Sequence, residues 1–368
     1  MKVLMLVHSD FIHDNRVNRE AIALIEAGYE VRCACVGFNL PESYEGTKLI
    51  PFEPKVLQGK KKFIDVIRFF GKVIKTEKYD IIHAHDLDGL TAAGFYADKK
   101  IPVIYDSHEL YLDSISLYNR RFTRFLWSIL ERRYIKRAKI VITVCGSIAD
   151  VLQKKYTLAE KPTVVRNFTD PFNLNPSETP LSKEVQQLAQ STNGLLLYHG
   201  VVREGRGLRF LIELLEAKKD WGAVICGDGP MLDELKHLVN SKNLSERTLL
   251  PGLVNRNQLV SILPYLNAGL CYIEPLAPSY YYSLPNKLSE YIQSELPILG
   301  SDLPEIKAII TEYNIGKTAK NIETGVEFLE KLETSDYTKQ IRTNLQKAAS
   351  ELNWSAEKRK LIEAYSKL

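Results

Sequence analysis

The sequence predicts an α/β protein of two doubly wound, Rossmann-like parallel-sheet domains, and three observations carry that prediction. Short apolar runs alternate with helix-length amphipathic segments through the first half. The alternation halts at NFTDPFNLNPSETP, Asn167 to Pro180, a stretch dense in turn formers, and then restarts. A chain of 368 residues, 45% of them hydrophobic, is long enough for two full cores.

In the first half, strands are predicted at Val3 to Val7, Glu30 to Val36, Ile81 to His85, Pro102 to Asp106, Ile140 to Val144 and Thr163 to Arg166. Helices are predicted at Asn15 to Ala27, with Asp14 or Asn15 as cap and Gly28 as terminator, and at Leu87 to Lys99. After the break, strands are predicted at Leu195 to His199, Gly222 to Cys226, Thr248 to Leu250, Ala268 to Ile273, Pro297 to Gly300 and Ile315 to Lys317. Trp354 to Leu368 reads as a closing helix capped by Ser355. The expected domains are 1–168, a linker at 169–182, 183–352, and a terminal helix at 353–368 packing back on the first domain. Ligands of open α/β sheets bind at the carboxyl ends of the strands, so the expected site is a cleft where those ends of the two sheets face each other.

Composition excludes several classes. No apolar run approaches the ~20 residues that span a bilayer, and Met1 to Val7 lacks the length and cleavage site of a signal peptide. A cytoplasmic location follows, with the inner face of a membrane as an option. Five cysteines, at 33, 35, 145, 226 and 271, sit in or beside apolar runs without ligand spacing, as reduced core thiols do. The net charge of +4 is uneven: residues 1–170 hold 27 Lys and Arg against 21 Asp and Glu, +6, which leaves −2 for the rest. The basic excess peaks at 119–139, where eight cations accompany one acid among apolar residues at helical spacing, and 60–79 repeats the pattern. Each is either a core-facing helix with a solvated basic side or a surface for anionic lipid or phosphate. No nucleic-acid module accompanies the charge.

The segment YHGVVREGRGLRF, from Tyr198, reads as a strand, a Gly-rich turn and a helix start, so backbone N–H groups and the guanidinium forks of Arg203 and Arg206 converge as a diphosphate would require. Gly227-Asp228-Gly229-Pro230 is a second turn after a strand, with Pro230 suited to the first turn of a helix. In YYYSLPNKLSEY, Ser283, Leu284 and Pro285 form a turn, Asn286 is the expected cap and Lys287 to Ser294 the expected helix. Glu290 stands one turn inside it, where a carboxylate can accept both hydroxyls of a ribose. His108 and Glu109, His85 and Asp86, and His8 and Asp10 each follow a predicted strand, as cleft lining or loop support. Asp86-Leu87-Asp88 imitates a metal-binding DxD motif and is set aside because Asp88 should begin a helix; no metal is expected.

Together GVVREGRG, SLPNK, Glu290 followed by ELPIL, NRVNREAIALIEAGYEV, AHDLDGL and YDSHELY resemble glycosyltransferase family 4, retaining enzymes of the GT-B fold, over essentially the whole chain. The resemblance implies that Arg203 and Arg206 bind the donor diphosphate, with Gly200, Gly227, Ser283, Leu284, Pro285, Asn286 and Lys287 around it. It implies that Glu290 holds the ribose and His108 serves near the donor sugar. His8, Asp10, His85, Asp86 and Glu109 then line the acceptor side. The first Glu of the family's Glu-x7-Glu motif falls at Tyr282, and Glu274 does not align, so this is the form with YYSLPNK in its place. The implied activity is metal-independent, retaining hexosyl transfer from a UDP- or GDP-sugar to a glycan or lipid-linked acceptor, without a cofactor, in cell-surface polysaccharide or glycoconjugate synthesis. The alternatives are a silent nucleotide-sugar-binding scaffold and a nucleotide-sugar epimerase of the same fold.

Overall fold

The protein is described by a computed structural model covering residues 1–56, 59–171 and 177–368. Residues 172–176 of the expected linker lie outside the described residues. The chain divides into two compact units. One comprises Met1–Asn167, Ala277–Ser279 and Ser355–Leu368, the other Phe168–Leu276 and Tyr280–Trp354.

Among the described residues, the first unit holds eight strands: β1 (Lys2–Val7), β2 (Glu30–Val36), β3 (Ser43–Tyr44), β4 (Thr47–Phe52), β5 (Ile81–His85), β6 (Val103–Ser107), β7 (Ile140–Thr143) and β8 (Thr163–Val164). They lie in the order β3-β4-β2-β1-β5-β6-β7-β8, parallel except for the β3-β4 hairpin. Apolar strands buried on both faces produce this arrangement, Leu4, Met5 and Leu6 being fully inaccessible. Sequence reading misses β3 and β4. Their signal is a two-residue turn, Glu45-Gly46, with φ of 47° and 79°; β3 is a two-residue edge strand, and β4 contains Pro51, a residue rare within sheets. The helix Asn15–Glu26 is capped by the Asp14 side chain, which accepts the Val17 N–H, and ends before Gly28 at φ 89°.

The second unit contains β9 (Gly194–His199), β10 (Trp221–Cys226), β11 (Thr248–Gly252), β12 (Ala268–Cys271), β13 (Ile298–Ser301) and β14 (Gly316–Ala319), all parallel, in the order β11-β10-β9-β12-β13-β14. In each unit the order reverses beside the first strand, between β1 and β5 and between β9 and β12. Those are the switch points where such sheets bind ligands. All five cysteines are buried.

Several local expectations change. Phe168 is in the second unit's core and the Thr169 N–H bonds Ser289 Oγ at 2.8 Å, while Pro180–Gln190 is already helix behind a Thr179 capping box, so the expected linker is packed at both ends. Ser355 lies inside the closing helix Trp354–Tyr365 rather than capping it. The helix expected from Lys287 is Asn286–Gln293, so Asn286 is its first residue and Pro285 its cap. Pro230 precedes the cap Met231 of helix Leu232–Ser241 instead of entering its first turn.

Candidate functional site

In the second unit, β9 delivers the chain to Gly200, which adopts φ 132°, and the loop returns to helix Leu208–Ala217 through Gly205 and Gly207 at φ 79° and 74°. The Gly200 N–H bonds the Cys226 carbonyl at 2.9 Å. A Cβ on Gly227 would stand 1.9 Å from the Gly200 oxygen, and one on Gly229 2.3 Å from that of Val202. The two glycine turns are therefore one surface whose approach only hydrogen side chains permit.

Arg203 and Arg206 converge on Tyr280: the Arg203 guanidinium donates to its hydroxyl, and Arg206 lies 4.8 Å from the ring centroid. Lys287 places Nζ 3.4 Å from the centroid of the Tyr198 ring, and its Cε is the atom nearest a Cβ built on Gly200. That ammonium is buried and has no hydrogen-bond partner among the described residues. Burial first, and the charge of Arg206 second, push the Lys287 amine down to about 7, against the pull of Cys271 and Glu290. Three cationic side chains and the start of the helix Asn286–Gln293 thus gather at the end of β9 with one ammonium unpaired, an arrangement that favours a multiply charged anion.

Glu290, one turn along that helix, accepts from His199 Nδ1 at 3.0 Å, and both side chains are about a quarter exposed. Ser283 Oγ donates to the Tyr280 carbonyl at 2.8 Å, so it holds the turn, while Leu284 packs against the core and Asn286 is exposed. Tyr282 stands edge-on to Tyr281, and the Glu274 N–H bonds the Gly205 carbonyl at 3.1 Å. Sequence reading misses His199 and Tyr280. The signal for His199 is its position immediately before Gly200, and Tyr280 carries none beyond its neighbours.

In the first unit, Asp106 at the end of β6 anchors a buried network. Arg16 holds it with two hydrogen bonds, of 2.9 and 2.8 Å, and donates a third to the Val165 carbonyl. His108 Nε2 lies 3.1 Å from Asp106 Oδ2 and 3.1 Å from His85 Nδ1. Asp86, at φ 53°, accepts the His108 N–H at 3.0 Å. Burial disfavours a charged His108, but Asp86 and Asp106 outweigh it and push the imidazole up to about 9. Burial raises the Glu20 carboxyl to about 8, with Arg16 opposing. Glu20, His83, His85 and Asp106 place ligand-type atoms within 4.8 Å of one another, but Asp106 is already occupied by Arg16. At neutral pH His108 is therefore a positive hydrogen-bond donor, partly exposed.

His85 and Asp86 join His108 in this network, whereas His8 and Asp10 do not. His8 pairs with Asp88, so Asp88 is taken by a histidine, and helix Asp86–Tyr96 begins at Asp86, one residue before the helix expected from Leu87 and two before Asp88. Asp10 accepts from the Ile12 N–H at 2.9 Å and lies 3.0 Å from His13 Nδ1, a loop-building role. Glu109 is exposed, its carbonyl accepting from Ser107 Oγ. Arg16 and Glu20 are missed by sequence reading, although they sit at i and i+4 in phase with the buried Val17, Ala21 and Leu24.

Two family models match in tandem: Glycosyltransferase Family 4 over residues 15–171 and Glycosyl transferases group 1 over 182–352. The chain belongs to the glycosyltransferases of the GT-B type. It is 23% identical over 249 residues to the alpha-D-kanosaminyltransferase of Streptomyces kanamyceticus, covering 64% of this chain and 62% of that one. The matched region spans about three-fifths of the length of the curated relatives. Among solved structures, sucrose-phosphate synthase from Thermosynechococcus elongatus superposes with a TM-score of 0.78 at 16% identity, covering 100% of this chain and 98% of that one. Anabaena HepE in complex with UDP and glucose gives 0.77 at 17%, with both chains fully covered. These GT-B neighbours share the fold of two parallel-sheet α/β domains. No helix among the described residues is long and apolar enough to cross a membrane.

Proposed function

We propose that this protein transfers a hexose-type sugar from a UDP- or GDP-sugar to a hydroxyl of a glycan or lipid-linked acceptor, with retention at the anomeric carbon. Cell-surface polysaccharide or glycoconjugate synthesis is the setting this implies. The observation that carries the reading is the buried ammonium of Lys287 beside Gly200, without a hydrogen-bond partner among the described residues, in the field of Arg206, which meets Arg203 at the Tyr280 ring. Such a site answers a diphosphate, because the penalty of burying the cation is recovered only when an anion arrives.

The charge that builds on the departing diphosphate is the barrier this site can lower. Arg203, Arg206, Lys287 and the first N–H groups of helix Asn286–Gln293 would stabilise it in advance of the reaction, so the proposed chemistry calls on no metal. Glu290, oriented by His199, would accept the ribose hydroxyls. The departing phosphate oxygen would take the proton of the attacking hydroxyl, and the cationic His108 would donate a hydrogen bond to the sugar rather than act as a base. HepE, whose structure was solved with UDP and glucose, supports the donor class through its fold alone.

A thermal-shift panel of nucleoside diphosphates and their sugars tests the reading. Saturation at 100 times Kd should add about 2.7 kcal/mol. One base should stabilise the wild type, and Arg206→Ala and Glu290→Ala should each weaken that response by roughly 10- to 100-fold in Kd. If no nucleotide stabilises the wild type, the donor assignment fails.

A further inference from the structure

The first unit contains an apolar cavity of about 430 Å³ between helices Gly59–Thr76, Asp86–Tyr96 and Arg121–Ile135, lined chiefly by Phe63, Ile64, Phe95, Leu126, Trp127 and Leu130. Phe63 and Trp127 meet edge to face at 3.9 Å on its wall. The helix Arg121–Ile135 already buries one face through Glu131, Tyr134 and Ile135. It nonetheless shows a second apolar face outward: Phe122 is 70% exposed, Phe125 61%, Leu126 46% and Ile129 48%. Their spacing of three, one and three residues makes a single stripe, continued at the cavity by the exposed Ile64 and Phe95.

The charge around this stripe is predominantly positive, with Asp65 of the helix Gly59–Thr76 beside Arg68. Arg121, Arg132 and Arg133 are exposed, and so are Lys61, Arg68, Lys72 and Lys75 of the neighbouring helix. The one acid of helix Arg121–Ile135, Glu131, is turned inward to the Tyr105 and Tyr156 hydroxyls. An apolar stripe flanked by cations, with its acid hidden, is complementary to anionic headgroups above hydrocarbon.

We propose that this face docks on an anionic bilayer and that the cavity takes up a lipid hydrocarbon chain. The arginines and lysines meet the headgroup phosphates, Phe122, Phe125 and Ile129 enter the acyl boundary, and the chain lies against Trp127. This inference goes beyond the donor reading and does not rest on it, since vesicle binding is measured without nucleotide.

The full chain is sedimented with vesicles of phosphatidylcholine, with or without phosphatidylglycerol. Binding is expected to the anionic vesicles, about tenfold weaker to phosphatidylcholine alone and lost at high salt. Phe122→Ser with Phe125→Ser should reduce it about tenfold at an unchanged unfolding temperature, because both side chains are exposed. Acyl-chain-brominated lipid should quench Trp127, and Trp127→Phe should remove the quenching, since Trp221 and Trp354 are buried in the second unit. Absence of binding to anionic vesicles, binding that survives the double Phe variant, or quenching that survives Trp127→Phe overturns the proposal. A dimer that the double Phe variant dissolves, without vesicle binding, overturns it in favour of a second copy on this face.

Discussion

Lys287 concentrates the physics of the second unit in one atom. Its amine is held at about 7 when empty, so between about pH 7 and its ordinary value of 10.5 the unfolded chain binds the proton that the folded chain has shed. Stability from this group therefore rises with pH across that window. Nucleotide binding has the opposite slope: a bound diphosphate favours the ammonium, so affinity is greatest below about pH 7 and falls as pH climbs above it. Lys287→Met is expected to stabilise the empty protein by roughly 1 kcal/mol or more and to weaken diphosphate binding by about 2 kcal/mol. Chemical unfolding and calorimetric titration read the two effects separately. His108 is the counterpart in the first unit. Asp86→Asn removes one of its two carboxylate neighbours and should lower the imidazole from about 9, which NMR titration follows directly.

At the scale of elements, the decisive features are strand ends and the turns that leave them. The β9-to-helix turn and the turn after β10 approach so closely that Gly227→Ala would drive a Cβ into the Gly200 carbonyl. Because the obstacle is backbone and φ is 154°, no side-chain rotation relieves it. The variant should lose at least about 3 kcal/mol, or fail to bind nucleotide where it still folds, as denaturant unfolding and thermal shift will show. Gly28, by contrast, has open space around it, so its φ of 89° is its whole constraint and an alanine there costs only backbone strain. Helix Asp86–Tyr96 shows how an element positions chemistry without a side-chain cap: His85 at its cap points into the Asp106 network, and Asp86 is strained so as to accept the His108 N–H.

For the whole molecule, the two units should respond oppositely to alkali. In the first unit, His108 is raised to about 9 from 6.5, so its contribution is full below pH 6.5 and is lost as pH rises through 9. Glu20, raised to about 8, acts in the same direction, since the folded state holds a proton that the unfolded state releases above its ordinary value of 4.5. Lys287 gives the second unit the reverse slope. Between pH 7 and 8.5 calorimetry should show the first unit's transition moving down and the second's moving up. The transition that nucleotide shifts identifies the second unit.

The sequence by itself determined the alternation of strands and helices, the restart of that alternation after the turn-rich break, and the glycine-rich turn with its two arginines. These are local properties, written in periodicity and in residues with singular backbone preferences. It also placed Glu290 and Lys287 on one helix, since one turn of spacing is legible without a fold. Tertiary structure alone decided which groups meet. Glu290 is joined by a histidine 91 residues away, and Asp106 by an arginine 90 residues away. Burial, too, was decided by packing: Lys287 is cationic in sequence, and only its enclosure against Tyr198 with no acceptor at hand turns it into a site that awaits an anion.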